Sequence, residues 1–263
     1  MSEKTDLQPD FGVDVMTRGQ LPGAADYAKE KISGLGRFAH RPVRHANVKL
    51  TRHGDPAQER PVIAQANLDV DGRLIRAEAQ GDTAREAIDR LDDRLRGRLR
   101  RAAEHWEARR AGRAARHGHE APHVERPDHF PVPPEERQIV RRKSYTIAAC
   151  TVDEAVMEME LLDYDFHLFT EKATEMASVI YRDGPSSYRL AQVAPVPKEQ
   201  LAPFELPVTI SATAPPCITV EQATERLGLL GLPFLFFIDP AQGRAGVLYR
   251  RYDGHYGLIT PAG

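Results

Sequence analysis

The feature that most constrains this chain's fold is a repeat inside it. TVDEAVMEMELLDYDFHLF at 151–169 matches TVEQATERLGLLGLPFLFF at 219–237 at a constant offset of 68 residues. The register continues without a gap through VIYR and VLYR (179–182 and 247–250) to Tyr188/Tyr256 and Leu190/Leu258. Over 151–190, 14 of 40 positions are identical, where chance at about one in twenty gives roughly two. Each copy reads strand, helix, then three strands. Both helices open on a capping box, Thr151–Glu154 and Thr219–Gln222, in which each side chain satisfies an orphan backbone N–H of the first turn. Val152, Ala155, Val156, Met159 and Leu162 form the inward stripe of the first helix, and Val220, Ala223, Leu227 and Leu230 that of the second.

The N-terminal part has a different pattern. Residues 11–18 alternate apolar and polar, as a half-buried strand does. Leu21, Ala24, Ala28, Ile32, Leu35 and Phe38 then recur at helical steps, with Gly34 and Gly36 weakening the end. Alternating segments follow at 43–52, 61–70 and 73–80, the last two separated by Asp71-Gly72, a two-residue hairpin signal. A long helix starts near Asp82, with Thr83 and Glu86 at capping-box spacing and a stripe of Ile88, Leu91, Leu95, Leu99, Ala102 and Trp106. The expected architecture is α+β: a β-α-β-β-β-α domain with both helices on one sheet face, then two tandem small β-α-β-β-β domains. The boundaries predicted are 1–110 for the N-terminal domain, 111–137 for a polar flexible linker, 138–193 for the first repeat, 194–206 for a proline-rich linker, and 207–263 for the second repeat.

Charge divides along the chain although the whole carries only −2. Residues 1–120 hold 23 Lys/Arg against 19 Asp/Glu, whereas 121–263 hold 13 against 19. Between 94 and 116 lie nine arginines and two acids. A solvated helix face ordinarily mixes signs to gain pair energy. Here the acids gather at 82–93, near the helix start, and every cation beyond is arginine, whose planar fork grips phosphate bidentately. Arg90, Arg94, Arg98 and Arg101 fall at steps of four, four and three and so line one face. Arg96 and Arg100 extend it, and Lys31, Arg37 and Arg41 on and after the first helix widen the patch. The pattern predicts nucleic-acid contact through these nine cations.

Other chemistry lacks support. His117, His119, His123 and His129 fall in the polar linker without cysteines or the ligand spacing of a structural zinc site. Cys150 and Cys217 precede the repeat helices with no recurring His or Asp partner, so they read as small buried hydrophobes. A Gly-rich phosphate loop, HExxH and GxSxG are all missing, and the expectation is a protein with no enzymatic activity, cofactor or metal. Two cysteines suit a reduced compartment. The N-terminus lacks the pattern of a signal peptide, and the longest nearly apolar run, Leu227 to Ile238, has 12 residues where a membrane span needs about 20. A soluble cytoplasmic protein is expected.

AEAQGDTAREAIDRLDDRLRGRLRR at 77–101, IVRRKSYTIAACTVDEAVMEMELLDYDFHLF at 139–169 and VLYRRYDGHYGLITP at 247–261 resemble the long bacterial ribosome hibernation-promoting factors, stress and stationary-phase proteins of the ribosome. The resemblance implies that the N-terminal domain binds 16S rRNA of the 30S subunit at the decoding channel within the 70S ribosome. There it would block mRNA and tRNA access, inhibit translation and preserve idle ribosomes. It also implies a C-terminal dimerisation module by which two factors couple two ribosomes. Arg94, Arg98 and Arg101 fall where the family's second helix is commonly basic, whereas Ala25 and Asp26 occupy a turn where relatives often place a cation. The larger departure is the second C-terminal copy, since relatives usually carry one.

That duplication carries its own expectation. Each copy has under 70 residues, a size at which association often completes a marginal core. PFLFFI at 233–238 is an uncharged aromatic strand that would aggregate if exposed. The two copies, tethered at millimolar effective concentration, are predicted to pair within one chain through Phe166, Phe169, Phe234, Phe236 and Phe237, leaving a monomer that holds single 70S ribosomes. The alternatives are a member of the same family that joins ribosomes into 100S pairs, or a general structured-RNA-binding protein.

Overall fold

The computed structural model describes residues 11–53, 60–110, 132–133, 136–145, 149–184, 187–251 and 253–261. The expected 111–137 linker, with its four histidines, lies almost wholly outside them. The chain divides into two compact units, Met1–His117 with Glu160–Tyr164, and Gly118–Met159 with Asp165–Gly263.

The first unit contains β1 (Gly12–Arg18), α1 (Ala24–Ser33), a 3₁₀ turn (Gly34–Phe38), β2 (Val43–Arg52), β3 (Val62–Val70), β4 (Arg73–Gly81) and α2 (Ala84–Arg110). Its sheet has the order β1-β2-β3-β4, with β1 parallel to β2 and the other pairs antiparallel. The β3–β4 hairpin closes on Asp71-Gly72, both at positive φ (52° and 82°), and the Gly72 N–H donates to Asp69 Oδ1 at 2.7 Å. Period-two burial puts Ala64, Ala66, Leu68, Ile75, Ala77 and Ala79 on the covered face. These mostly small residues let the helices lie close. Ala28 and Ile32 of α1 and Ile88, Leu91, Leu95 and Leu99 of α2 fill the space above them, all at most 1% exposed. At Gly81 a Cβ would stand 2.6 Å from the Ala87 backbone nitrogen, so only glycine fits where β4 passes into α2.

Two details of the first unit differ from expectation. Thr83 Oγ1 accepts from the Glu86 N–H, but the Glu86 carboxylate reaches the N–H of Asp82 instead of that of Thr83. Phe38 does not complete the α1 stripe. The helix tightens to 3₁₀ at Gly34, and at three residues per turn the next positions rotate off the stripe. Leu35 stays buried, and Phe38 emerges 38% exposed. The Trp106 side chain lies outside the described residues.

The second unit holds both repeats. The first supplies β5 (Ile139–Tyr145), β6 (Ala149–Cys150), α3 (Val152–Leu161), β7 (Phe166–Glu171), β8 (Ala177–Arg182) and β9 (Tyr188–Gln192). The second supplies β10 (Val208–Ile210), α4 (Val220–Leu230), β11 (Phe234–Asp239), β12 (Arg244–Arg250) and β13 (Tyr256–Pro261). Both capping boxes form, between Thr151 and Glu154 and between Thr219 and Gln222.

The two sheets have the orders β10-β9-β8-β7-β6 and β11-β12-β13-β5. The first strand of each repeat therefore sits in the other repeat's sheet. The exchange is reciprocal, in the same register at two of the three paired positions, with a register shift at Tyr256. Arg189 pairs with Thr209 and Leu190 with Ile210; 68 positions on, Gly257 pairs with Arg141 and Leu258 with Arg142. Ile139 on β5 packs against the core of the second repeat, formed by Ala223, Leu227, Phe237, Leu248, Tyr256 and Leu258.

The proline-rich connector is packed. Leu201, Ala202, Phe204 and Leu206 are 6–7% exposed. Asp153 accepts from the N–H groups of Glu205 and Leu206 at 3.0 and 3.1 Å. Glu171, wholly buried, accepts from the Ala202 N–H through Oε1 at 2.9 Å. Its Oε2 accepts from the N–H groups of Ala173 and Thr174 and from the Thr174 hydroxyl. Burial alone pushes this carboxyl up, but the hydrogen bonds from Thr174, Ala202 and Ala173 outweigh it and hold the group below its ordinary range.

A depressed carboxyl contributes stability above its unfolded pKa and loses it as pH falls through the folded value. Glu171→Gln is therefore expected to destabilise the second unit by about 1–3 kcal/mol at neutral pH. In denaturant titrations the gap to the parent should close as the pH falls through the carboxylate range.

Candidate nucleic-acid interface

One residue type on one helix meets several fates. β4 is an edge strand, and an edge leaves alternate backbone groups without a ladder partner. Arg90 donates to the Gln80 carbonyl at 2.9 Å, and Arg94 to the Glu78 carbonyl two residues away on that strand. Arg90 also meets Glu86 at 2.6 Å. Arg98 is 5% exposed; within the first unit it pairs with Asp163 Oδ1 at 2.5 Å and donates to the Glu160 carbonyl. The face expected from Arg90, Arg94, Arg98 and Arg101 is thus not a uniform solvent-facing row. Helical spacing gave their direction but not the acceptors waiting there.

The cations that do come together are Arg37, Arg96 and Arg100. They line a cleft of about 740 Å³ between the 3₁₀ turn and the middle of α2, with Phe38, His40 and Gly97; Asp93 is its acid. The guanidinium carbons of Arg37 and Arg96 stand 4.8 and 4.9 Å from the Phe38 ring centroid, in cation–π contact. Arg96 is anchored from behind by Asp92 at 2.5 Å. Burial raises the Asp92 carboxyl, and Arg96 opposes that rise. Arg100 is largely exposed, with its Nε 4.0 Å from Glu104, at the limit of an ion pair. Arg101 is half-buried, with Nη1 beside Gly97. Lys31 and Arg41 belong to other clusters. Lys31 pairs with Asp89 at 2.8 Å, a bond that together with Tyr27 raises its pKa, and Arg41 pairs with Asp71 at 2.7 Å. Phe38, His40 and Gly97 were not legible as site residues, although the glycines at 34 and 36 already signalled that the α1 stripe ends early.

The seam between the repeats is the second surface built from predicted residues. Phe166 stacks on its own equivalent, Phe234, at 4.7 Å and 30°. The flanking contacts are reciprocal: Phe166 to Tyr249 at 5.7 Å and Tyr181 to Phe234 at 5.3 Å. Leu168, Val179, Phe236, Ala245 and Val247 form the shared core beneath them. Strand alternation turns Phe237 to the opposite face, under α4. Phe169, also 1% exposed, stacks against His167. Burial lowers His167, with Glu158 opposing. Of the five aromatics expected at the seam, the structure places Phe166, Phe234 and Phe236 in the shared cluster.

Burial pushes the Cys150 thiol up to about 12, with Glu158, Glu154 and Glu171 adding to it, so it is held as a thiol and not a nucleophile. Among the described residues no cluster of His, Cys, Asp or Glu could hold a metal, and no helix is long and apolar enough to cross a membrane.

Residues 22–106 match the family described as Sigma 54 modulation protein / S30EA ribosomal protein. Residues 134–190 and again 209–258 match the C terminus of that family. The chain belongs to this family. The S30EA C-terminal module occurs twice in it, in step with the internal repeat. Among relatives, the dormancy associated translation inhibitor of Mycobacterium tuberculosis is 36% identical over 227 residues, covering 83% of this chain and 77% of that one. The ribosome hibernation promotion factor of the same organism is 28% identical over 208 residues, covering 71% and 94%. Of solved structures, the Thermus thermophilus Protein Y N-terminal domain matches 35% of this chain and 96% of its own at 26% identity, with a TM-score of 0.28, too low to carry an argument.

In this S30EA chain Phe166 and Phe234 should be energetically coupled. A double-mutant cycle with Phe166→Ala and Phe234→Ala is expected to give an interaction energy of about 0.5–1.5 kcal/mol in urea unfolding. Additive losses would show that the stacked rings do not depend on each other.

Proposed function

We propose that this protein is a non-enzymatic, cytoplasmic ribosome hibernation factor that binds the small subunit at its decoding channel and silences single 70S ribosomes. Family membership supports the ribosome as partner. The relatives named for translation inhibition and hibernation support the outcome. The surface offered to 16S rRNA is the cleft of Arg37, Arg96 and Arg100, with Arg101 at its margin. Phe38 and Asp92 hold Arg37 and Arg96 in place, so less side-chain freedom is lost on contact with phosphate.

The observation that carries the single-ribosome reading is the reciprocal strand exchange. A twofold-related pair presents the same surface from each partner. Here both partners lie in one chain, and each fills the sheet position that a second molecule would otherwise supply. The seam rings meet their own equivalents, so the pairing surface is used up internally. A protein built this way has no spare copy of that surface with which to bridge two ribosomes.

Four measurements test the reading. Light scattering is expected to give the mass of one chain, 29.4 kDa, and ribosomes mixed with the protein should sediment as 70S particles with translation blocked. A robust 100S peak would overturn the single-ribosome part, and equal affinity for ribosomes and generic duplex RNA would overturn the decoding-channel part. The triple variant Arg37→Ala/Arg96→Ala/Arg100→Ala should bind ribosomes at least about tenfold more weakly. Each lost phosphate contact should also reduce the slope of log affinity against log salt by about 0.7–0.9.

A further inference from the structure

Gly97 is unexplained by the fold. It stands in the middle of α2, where glycine is the worst non-proline residue for helix stability. Packing does not require it. Among the described residues a Cβ there would meet only Arg101 Nη1, at 3.8 Å, an ordinary contact, and the backbone has no positive φ that would exclude alanine. Gly81 shows the opposite case, since its Cβ would collide with the backbone of α2. Yet Gly97 lines the floor of the cationic cleft, between Arg96 and Arg100 and opposite Phe38. A residue that weakens its helix and relieves no clash among the described residues fits a role toward something that enters from outside.

We propose that this cleft is a nucleotide subsite, in which Gly97 leaves the helix surface bare so that an RNA phosphodiester can approach it closely. The inference rests on the ribosome-binding reading and names the place where one nucleotide is gripped. The chemistry is that of phosphate. Three arginines line the cleft with Asp93, itself exposed, as the one acid of the lining; Asp92 and Glu104, which pair with Arg96 and Arg100, are not among the lining residues. Gly97 lines the cleft, and among the described residues a Cβ there would have only Arg101 Nη1 within 4 Å, at 3.8 Å, so it would stand in open space at the lining and hold the phosphate away from the fork geometry that arginine uses best. Phe38 is the positioning residue. Its half-exposed ring sits under the Arg37 and Arg96 guanidinia and keeps both turned towards the cleft. The cleft volume, about 740 Å³, lies within the range of small-ligand sites and admits a phosphate with its sugar and base.

The test uses the full-length protein and purified 70S ribosomes. Gly97→Ala is expected to raise the melting midpoint by roughly 2–6 °C, because alanine suits the helix better, and at the same time to raise the ribosome dissociation constant about tenfold. Such a variant is more stable and yet binds worse, which a purely structural glycine does not produce. Phe38→Leu should weaken binding several-fold with little change in melting, and Phe38→Trp, which restores a ring face, should recover it. Unchanged affinity in Gly97→Ala, or a fall in its melting midpoint, would overturn the open-floor role. Equal binding by Phe38→Leu would overturn the positioning role. If the parent protein itself does not bind ribosomes, the functional reading fails instead, so the two failures are distinguishable.

Discussion

The structure of the C-terminal half depends on parallel pairing between strands that belong to different repeats. A repeat of under 70 residues buries too little surface to be secure alone, and its sheet ends on an edge open to further pairing. Exchanging β5 and β10 buries further surface and covers the β9 and β13 edges, with β10 and β5 as the new end strands. The borrowed strand lengthens each sheet, and it brings an apolar residue, Ile139 in one direction, into the other copy's helix-covered core. Because the exchange runs both ways, each sheet includes a strand of the other repeat. The tether between the copies holds each at a high effective concentration for the other.

Once two copies are joined, symmetry is no longer enforced, and this pair has diverged. Where the first repeat has Glu171 and Asp153 clamping the backbone of the connector, the second has Asp239 and Glu221 at the equivalent positions. Among the described residues the Asp239 carboxylate accepts from the Ala241 N–H of its own turn. Buried His167, Ser178 and Gln192 correspond to Leu235, Gly246 and Thr260. The polar groups therefore concentrate in the copy against which the connector packs. Asp153, Glu171 and Gln192 accept hydrogen bonds from the backbone of that segment, whose prolines cannot donate to a sheet. The seam itself has kept its symmetry, ring against equivalent ring, because there the two copies still see each other.

Alpha helix α2 works as both core element and surface. Its leucines fix its rotation over the sheet, and that rotation decides which arginines reach edge carbonyls, which is buried with a carboxylate, and which stay open to a ligand. A guanidinium used on a backbone carbonyl or a buried acid gains charge-assisted hydrogen bonds. It is then a poor candidate for gripping phosphate, since that bond must first be broken. The three that converge on the cleft are held by softer contacts, an aromatic ring and single carboxylates at the ends of flexible side chains.

The sequence by itself determined what is local. The two capping boxes, the Asp71-Gly72 hairpin and the leucine stripe of α2 are written in residues a few positions apart, and the physics that reads them acts over those same few positions; the 68-residue repeat is legible because each copy carries the same local pattern. The strand exchange was not legible, because a period-two pattern looks the same whichever strand becomes its neighbour. The connector's burial was hidden for a related reason, since its anchors, Asp153 and Glu171, lie 31–53 residues away. At the candidate site, composition and spacing identified the arginine-rich helix, but not that Arg90 and Arg94 would meet a sheet edge and Arg98 a buried acid. Nor could they show that Gly34 would tighten α1 and turn Phe38 out of the core towards Arg37 and Arg96. Those outcomes depend on what stands opposite each side chain, which only the tertiary structure decided.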